Sequence, residues 1–294
     1  MKVQLIFFLI FITDIAFSET ITIQLDSIYL EKKIEINSNH YTDSSDNNSV
    51  AISIHGTRGF KTMEVISVFS ENLLDLNIDT IAPNISYGVN DRANEFLSCD
   101  IKHFHNRHEN VNEIIRWFLF AIEKDYENII LIGHSRGGQD VMNAYEKITK
   151  DYPAESEKIS SLVLLAPLTD DIDDINNKLK KSNNTTINQL LKKDKDAFVK
   201  INFLSCPDAK VKVSSFLSYY NLSPNEQVVQ ILKDVKINTY IFTASEDNFV
   251  PKTHSKLSKI SNDNVKLIQI QGSDHFFRDL FLDEVIELLA DFIG

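Results

Sequence analysis

The chain has 294 residues, of which 43% are hydrophobic and 24% are charged, so it can bury a large core without help from disulfides or metals. Its formal net charge of −12 argues against sequence-independent nucleic-acid binding, which needs clustered Lys and Arg, and against docking on anionic lipid. The charge does not select a substrate.

The start of the chain has the layout of a secretory signal peptide. Residues 5–12 form an apolar run after a positive start, and the small residues Ala16 and Ser18 occupy the −3 and −1 positions of a cleavage site. A buried helix or strand is the alternative, and the run is too short to cross about 30 Å of hydrocarbon comfortably. We predict a signal peptide over residues 1–18, a secreted or periplasmic protein and no stable membrane anchor.

The rest of the chain, residues 19–294, is predicted to open with a hairpin and then alternate strands with helices. Residues 20–36 alternate apolar and polar side chains, as in a hairpin with one face in water, and residues 37–49 are polar turn formers that indicate a mobile loop. The predicted strands lie at 50–54, 78–84, 128–132, 162–166, 239–243 and 265–270, and the predicted helices at 62–76, 109–126, 139–149, 252–260 and 279–292.

This alternation predicts an α/β fold with a mostly parallel sheet and helices on both faces. The hairpin would add antiparallel strands at one edge. Residues 168–236 interrupt the alternation, and they are polar and mostly helical by pattern. We predict that they form a small helical cap over the carboxyl edge of the sheet.

Ser135 is the predicted nucleophile. It lies at the centre of a Gly-x-Ser-x-Gly pattern at residues 133–137, directly after a predicted strand and before a predicted helix. In that context the turn is so sharp that the serine backbone is strained, and the glycines leave room for it while the hydroxyl stands exposed at a helix N-terminus. The alternative is a tight turn whose serine only caps the helix.

A serine hydroxyl needs a base, and the base needs a carboxylate that holds its tautomer. His275 follows the last predicted strand and Asp247 follows the strand before it, so both are expected at the carboxyl edge of the sheet. His254 competes with His275 but falls in a predicted helix. Glu246 competes with Asp247 as the neighbouring acid. We predict Ser135, Asp247 and His275 as the catalytic residues.

The segment His-Gly-Thr-Arg-Gly-Phe at residues 55–60 is the predicted oxyanion loop. An acyl-transfer enzyme must hold the oxyanion of its tetrahedral intermediate with fixed donors. We predict the backbone N–H groups of Arg136, directly after the nucleophile, and of Thr57, because the neighbouring glycines let backbone approach a ligand closely. The candidate substrate-binding residues of this loop are His55, Arg58 and Phe60.

Together these segments resemble the α/β-hydrolase superfamily over roughly residues 22–294. The matching pieces are HG at 55–56, GHSRGG at 133–138, LLAP at 164–167, SEDNFVP at 245–251 and GSDHFF at 272–277. The chain order of serine, acid and histidine is the one such folds use. The resemblance implies an eight-stranded, mostly parallel sheet and hydrolysis without a cofactor, in a poorly described bacterial branch. It does not fix the substrate, because many hydrolases share this scaffold.

We therefore expect a serine hydrolase that cleaves an ester or related acyl bond of a small-molecule or lipid-like substrate. The alternative is a catalytically silent binding module on the same scaffold. Arg136 and Arg58 raise the option of a negatively charged substrate, although both could simply brace a loop. Several apolar residues of the cap could line an acyl pocket or form the cap's own core: Phe203, Phe216, Leu217, Tyr219 and Tyr220.

Two further patterns leave alternatives open. Cys99 and Cys206 follow predicted strands, and in an exported protein they either form a disulfide or remain free thiols. His103, His105 and His108 resemble the HxHxDH ligand run of metal-dependent hydrolases. The residue before the last of these histidines is an arginine where that run needs aspartate, so metal catalysis is disfavoured and no metal is predicted.

Overall fold

The computed structural model describes residues 17–27, 32–43 and 47–293. Residues 1–16 of the predicted signal peptide and residues 44–46 of the predicted mobile loop lie outside the described part of the chain. Phe17 and Ser18, the last residues of the predicted signal peptide, belong to the first strand. No helix in the described ranges combines the length and the hydropathy needed to cross a membrane.

The described residues form two sheets. Their strands are β1 (Phe17–Ser27), β2 (Lys32–Thr42), β3 (Ser49–Ile54), β4 (Ile78–Pro83), β5 (Asn128–His134), β6 (Ile159–Leu165), β7 (Phe198–Phe203), β8 (Cys206–Lys212), β9 (Asn238–Ala244) and β10 (Val265–Ile270). The large sheet has eight strands in the order β1-β2-β4-β3-β5-β6-β9-β10. The β1–β2 and β2–β4 pairs are antiparallel and the other pairs of this sheet are parallel. The predicted eight-stranded, mostly parallel sheet is confirmed.

Helices cover both faces of this sheet, as predicted. They are α1 (Glu64–Leu74), α2 (Arg107–Glu123), α3 (Arg136–Asp151), α4 (Pro153–Ser156), α5 (Ile172–Asn183), α6 (Ile187–Leu191), α7 (Val213–Tyr220), α8 (Val228–Asp234), α9 (Thr253–Leu257) and α10 (Leu280–Ile293). Successive side chains of a strand point to opposite faces. Ile129 and Leu131 of β5 accordingly pack in one core with α2 and α3, whereas Ile130 and Ile132 pack in a second core with α1 and α10.

The segment 37–42 is strand, although its polar residues predict part of a mobile loop. It continues β2 and pairs with β1, and residues 38–41 pair with β4 as well. Asn37 is buried, and its side-chain amide donates to the Asp91 carboxylate at 2.8 Å and to the Arg92 carbonyl at 2.9 Å. These partners lie more than fifty residues away, so local polarity could not reveal that this strand is interior.

Residues 168–236 contain helices α5 to α8, but they also contain the β7–β8 ribbon. The prediction of a mostly helical cap is therefore wrong for 198–212, where the two strands pair antiparallel. His103, outside the cap, pairs with Val211 of β8 and anchors the ribbon. The alternation of apolar and polar residues at 199–203 has the period of a strand and would have been a usable signal.

Cys99 and Cys206 form a disulfide, with an S–S distance of 2.06 Å. The bridge joins the loop that precedes α2 to the first residue of β8. It therefore ties the cap to the body of the domain across 107 residues of sequence.

Candidate active site

Ser135 lies on a strained turn between β5 and α3. Its backbone has φ 55° and ψ −116°, a conformation that residues with a side chain rarely adopt. A Cβ atom on Gly133 would lie 2.4 Å from the carbonyl oxygen of Gly137, and one on Gly137 would lie 2.3 Å from that of Ile54. Both positions therefore require glycine, which is why this pentapeptide can make the turn.

Backbone hydrogen bonds fix the turn to its surroundings. The Ser135 N–H donates to the carbonyl of Leu165, at the end of β6, at 2.8 Å. The Ser135 carbonyl accepts from the N–H of Leu168, the first residue of the cap segment, at 2.9 Å. Ser135 is 8% exposed, and it lines a cavity that His275 also lines. The serine thus lies where the sheet, the cap and the cavity meet.

His275 and Asp247 meet across the loops that follow β10 and β9. The His275 Nδ1 atom lies 2.7 Å from Asp247 Oδ2. The other oxygen of Asp247 accepts from the backbone N–H groups of Phe249 and Val250, each at 2.8 Å. Both side chains of the pair are about 5% exposed. The loop after β9 thus holds the carboxylate by backbone contacts and leaves one oxygen for the histidine.

These contacts determine the protonation of the pair. Burial acts to raise the pKa of Asp247, but the hydrogen bonds from His275, Val250 and Phe249 outweigh burial and hold that pKa below its ordinary value. Asp247 is therefore a carboxylate at neutral pH and can only accept. The shared hydrogen bond is therefore donated by His275 Nδ1–H, and Nε2 is the ring nitrogen that Asp247 does not engage.

Glu246 and His254, the alternatives to Asp247 and His275 in the sequence, do not occupy the site. Glu246 is exposed, whereas Asp247 is buried. His254 lies in α9, and its Nδ1 atom is 2.8 Å from the hydroxyl of Thr243. Neither residue lines the cavity.

His134 contributes to the site although the sequence analysis did not single it out. Its Nε2–H group donates to the backbone carbonyl of His275 at 2.9 Å, and the two ring centroids are 4.8 Å apart. Burial, and then the nearby His275, lower the pKa of His134 to about 3, so the ring stays neutral. Its place directly before Ser135 was the available signal. His134 holds the backbone that carries His275.

Thr57 and Arg136, the predicted oxyanion donors, both line the cavity beside Ser135. Arg136 is the first residue of α3, so its backbone N–H has no acceptor within the helix. The Thr57 hydroxyl accepts from Arg136 Nε at 3.2 Å, which joins the two residues. Gly56 packs directly on the nucleophile, since a Cβ there would lie 3.1 Å from Ser135 Cβ. The loop after β3 and the start of α3 therefore border the same space.

The predicted role of His55 as a substrate contact is wrong. His55 is 2% exposed and does not line the cavity. Its Nε2 atom accepts from the backbone N–H of Ile85 and lies 3.1 Å from the Arg92 guanidinium, which also donates to the Gly59 carbonyl. Burial, and then the charge of Arg92, lower the pKa of His55 to about 3. A neutral His55 thus braces the oxyanion loop from behind.

Of the other two predicted substrate contacts, Phe60 and Arg58, only Arg58 lines the cavity. Phe60 does not line the cavity and packs instead on Phe96, with ring centroids 5.3 Å apart. Arg58 does line the cavity, but its Nη1 group donates to the Leu97 carbonyl and to Cys99 Sγ, each at 2.8 Å. The substrate prediction is therefore corrected for Phe60, and the Arg58 guanidinium is engaged by the loop that carries the disulfide.

His103 and His105, which precede α2, pack against the cap, whereas His108 lies in the first turn of α2. His103 Nδ1 lies 3.1 Å from His105 Nε2, and His105 Nδ1 lies 2.9 Å from the Tyr219 hydroxyl. The His108 side chain is 56% exposed and faces Glu226 at 3.9 Å. Within the described ranges, no group of three or more His, Cys, Asp or Glu side chains is arranged to hold a metal ion. His103 and His105 are thus buried packing residues, and His108 lies at the surface.

The cavity at Ser135 has a volume of about 790 Å³, which is in the range of small-molecule sites. Its walls come from the loops around Ser135 and His275 and from the cap helices α5 and α7. Of the cap residues considered from sequence, Phe216 and Tyr220 line the cavity, whereas the other three are buried away from it: Phe203, Leu217 and Tyr219. The cap is thus both a small core and a wall of the site.

A family model described as "Alpha/beta hydrolase of unknown function (DUF900)" matches residues 31–219. The chain belongs to this family. The matched region includes Ser135 and ends before Asp247 and His275. Membership supports hydrolase activity in a family whose function is not assigned. No curated protein matches the sequence of the chain.

Solved structures of α/β hydrolases share the fold. The complex of ferulic acid with Est1E from Butyrivibrio proteoclasticus has a TM-score of 0.63 at 21% identity, covering 88% of this chain and 94% of that one. A putative hydrolase from Agrobacterium vitis S4 has a TM-score of 0.68 at 18% identity, covering 94% and 99%. An alpha-beta serine hydrolase homologue from Coxiella burnetii has a TM-score of 0.53 at 15% identity, covering 93% and 97%. At these identities the likeness concerns the fold alone.

Proposed function

We propose that this protein is a serine hydrolase that cleaves an ester or related acyl bond through Ser135, His275 and Asp247. The chief support is the hydrogen bond between His275 Nδ1 and Asp247, because it leaves Nε2 free to act as a base in a cavity that also contains Ser135. The strained backbone of Ser135 adds to this support, since a packing role alone does not require it.

In the proposed reaction, His275 Nε2 takes the proton from Ser135 Oγ as the oxygen attacks the carbonyl carbon. The oxyanion that forms accepts hydrogen bonds from the backbone N–H groups of Arg136 and Thr57. Collapse of this tetrahedral intermediate breaks the bond between the carbonyl carbon and the alcohol oxygen. The alcohol leaves with the proton from His275, and the acyl group stays on Ser135. Water then attacks the acyl group with the same base, releasing the acid and restoring the serine. Asp247 remains ionised and stabilises the imidazolium at both steps.

We also propose that the protein acts after export from the cytosol. A disulfide between Cys99 and Cys206 persists in oxidising compartments and is rare in reducing ones. The signal-peptide pattern of residues 1–18 points to the same compartment. Sequencing the N-terminus of the protein recovered from its native host tests this proposal, and an uncleaved cytosolic protein would contradict it.

The decisive test of the proposed function is labelling with a fluorophosphonate, which reacts with activated serines. We expect one label, on Ser135, and its loss in Ser135→Ala and in His275→Ala. Ser255→Ala, which removes an exposed helical serine, is the matched control and should keep full labelling. Absence of labelling in folded wild-type protein would favour the silent binding module instead.

A panel of p-nitrophenyl esters of increasing chain length, with a thioester and a peptide analogue, then defines the bond that is cleaved. We expect turnover of esters and retention of an acyl group on Ser135 under rapid quenching. Turnover of the peptide analogue alone would contradict the proposed esterase activity.

A further inference from the structure

The charges around the cavity contrast with those of the whole protein. The chain has a formal net charge of −12, yet the residues that line the cavity include four lysines and arginines and one carboxylate residue, Asp170. The basic ones are Arg58, Arg136, Lys178 and Lys181. Charges of one sign that line a cleft concentrate ligands of the opposite sign there.

The two arginines are already engaged by protein groups. Arg136 donates to the Thr57 hydroxyl, and its guanidinium lies 5.6 and 5.5 Å from the ring centroids of Tyr219 and Tyr220. Arg136 is 4% exposed, and its positive charge interacts with the negative charge of Asp140. Arg58 is held by the Leu97 carbonyl and by Cys99, as described above. The arginines therefore brace the site and leave recognition of a ligand charge to other residues.

The two lysines are placed differently. Lys178 and Lys181 lie three residues apart on α5, which puts them on the same face of the helix. Lys178 pairs with Asp170 at 2.5 Å. Lys181 is exposed, and within the described part of the chain no carboxylate lies within 4.0 Å of its ammonium group. Lys181 is therefore a cavity-lining cation whose charge is not paired within the protein's described residues.

The wall of the cavity beside His275 is apolar rather than charged. Phe249 and Phe276 line the cavity, and their ring centroids lie 5.0 and 5.1 Å from that of His275. Phe249 is 65% exposed, which is unusual for a large apolar side chain and marks a surface that a ligand can cover. Phe216 and Tyr220 add aromatic surface from the cap. An apolar group would thus be held beside the scissile bond.

We propose that the substrate is an amphipathic ester with an apolar acyl or aryl part next to Ser135 and an anionic group, such as a carboxylate, that contacts Lys181 and Lys178 on α5. This inference rests on the proposed function, because it names the substrate class of that same site. The anion can belong to the acyl chain or to the leaving group, and two pairs of esters distinguish these cases.

The first pair is p-nitrophenyl octanoate and the mono-p-nitrophenyl ester of octanedioic acid, which differ by a terminal carboxylate on the acyl chain. The second pair is the butyrate ester of 7-hydroxy-4-methylcoumarin and its 4-carboxymethyl counterpart, which carries the carboxylate on the leaving group. We expect the anionic member of one pair to have the higher kcat/KM. Added salt should narrow the difference, because exposed charges are screened.

Variants of α5 then test the residues. Lys181→Gln and Lys178→Gln should each lower kcat/KM for the preferred anionic ester about threefold, the effect of an exposed ion pair, and should lower that of the neutral ester less. Lys181→Glu should reverse the preference. Lys180→Gln is the matched control, because Lys180 is exposed on the same helix but does not line the cavity. Equal rates within both ester pairs, or Lys181 variants that behave like Lys180→Gln, would overturn the proposal.

Binding measurements separate this proposal from the proposed function. Calorimetry on Ser135→Ala protein compares monomethyl octanedioate with neutral methyl 8-hydroxyoctanoate and needs no turnover. Tighter binding of the anion that the Lys178 and Lys181 substitutions weaken would support the anionic site even if no ester were hydrolysed. The 4-methyl and 4-carboxymethyl coumarin esters are compared in the same way, and equal binding within both pairs would refute the site even if neutral esters were hydrolysed.

Discussion

Asp247 holds His275 with one carboxylate oxygen and is itself held by the other. Oδ2 lies 2.7 Å from His275 Nδ1, while Oδ1 accepts from two backbone N–H groups of its own loop. The orientation of the histidine ring therefore depends on a carboxylate that the backbone fixes in place. Mutation can separate the charge of this group from its shape.

Asp247→Asn keeps the shape but presents an amide N–H or a neutral oxygen to His275. We expect kcat for the best ester of the panel to fall about 10⁴-fold, because the ring adopts the wrong tautomer and the imidazolium loses its partner. Steady-state kinetics on purified protein measure the change. Glu246→Gln, which alters the exposed neighbouring acid, is the control and should retain activity. A loss of less than tenfold in Asp247→Asn would contradict the assigned role.

Gly137→Ala should lower the stability of the fold. The added Cβ would lie 2.3 Å from the Ile54 carbonyl oxygen, so backbone must shift, and we expect a loss of about 1–3 kcal/mol in the free energy of unfolding. Gly138→Ala is the comparison, because its Cβ would come no closer than 3.0 Å to its nearest neighbour, Pro167. Urea denaturation followed by circular dichroism measures both. Equal effects of the two substitutions would show that the close contact at 137 is not decisive.

Replacing both Cys99 and Cys206 with serine should destabilise the protein by about 4 kcal/mol. The bridge closes a loop of about 107 residues. A closed loop lowers the entropy of the unfolded chain, and the effect on stability grows with the length of the loop. Thermal unfolding with and without a reductant measures this effect. The reductant should lower the melting temperature of the wild-type protein and leave that of the double variant unchanged. A wild-type melting temperature that ignores the reductant would argue against the bridge.

Asp174 should make the attachment of the cap sensitive to acid. Its carboxylate accepts from Lys252 at 3.0 Å and from Lys256, which also donates to the Thr169 carbonyl at 2.9 Å. Burial acts to raise the pKa of Asp174, but the hydrogen bonds from the two lysines outweigh burial and hold the pKa at about 2. The unfolded value is about 3.9, so the folded state binds this proton less tightly.

A lowered folded-state pKa gives stability that is present above about pH 4 and is lost as the pH falls through about 2. Asp174→Asn should therefore cost about 1 kcal/mol at pH 7, because solvent screens the pairs with the two lysines, and its difference from wild type should vanish below about pH 2. The free energy of unfolding, measured by urea titration at a series of pH values, gives this profile. Asp173→Asn, at the exposed neighbouring position of α5, serves as the control. A difference that does not depend on pH would contradict the mechanism.

The sequence predicted the sheet and the proposed catalytic residues for the same reason. Short apolar runs mark buried parallel strands, and Ser135, Asp247 and His275 each follow such a run closely. Parallel strands bring their carboxyl ends to one edge, so residues far apart in sequence become neighbours there. The periodicity of the chain therefore carried much of the information about the site.

The errors arose where distant contacts decide the role of a residue. His55 was predicted as a substrate contact because it lies in the oxyanion loop, but Ile85 and Arg92 cover it from a later segment. The polar residues of 37–42 form an interior strand of the sheet, and distant partners such as Asp91 satisfy the buried amide of Asn37. His134 acts on His275 across 141 residues of sequence. No local pattern could supply these partners.

The disulfide also limits how the cap can be exchanged. Leu168 begins the cap directly beside the serine turn, and β9 resumes the sheet at Asn238, so residues 168–236 look like a segment that could be transplanted between related scaffolds. Two residues of β8 are attached outside that segment: Cys206 is disulfide-bonded to Cys99, and Val211 forms a β-bridge with His103. A chimaera made by swapping the cap alone would bring in the cap's side of these two links without their partners at 99 and 103. A cap exchanged to change the substrate range should therefore be transplanted together with residues 99–103.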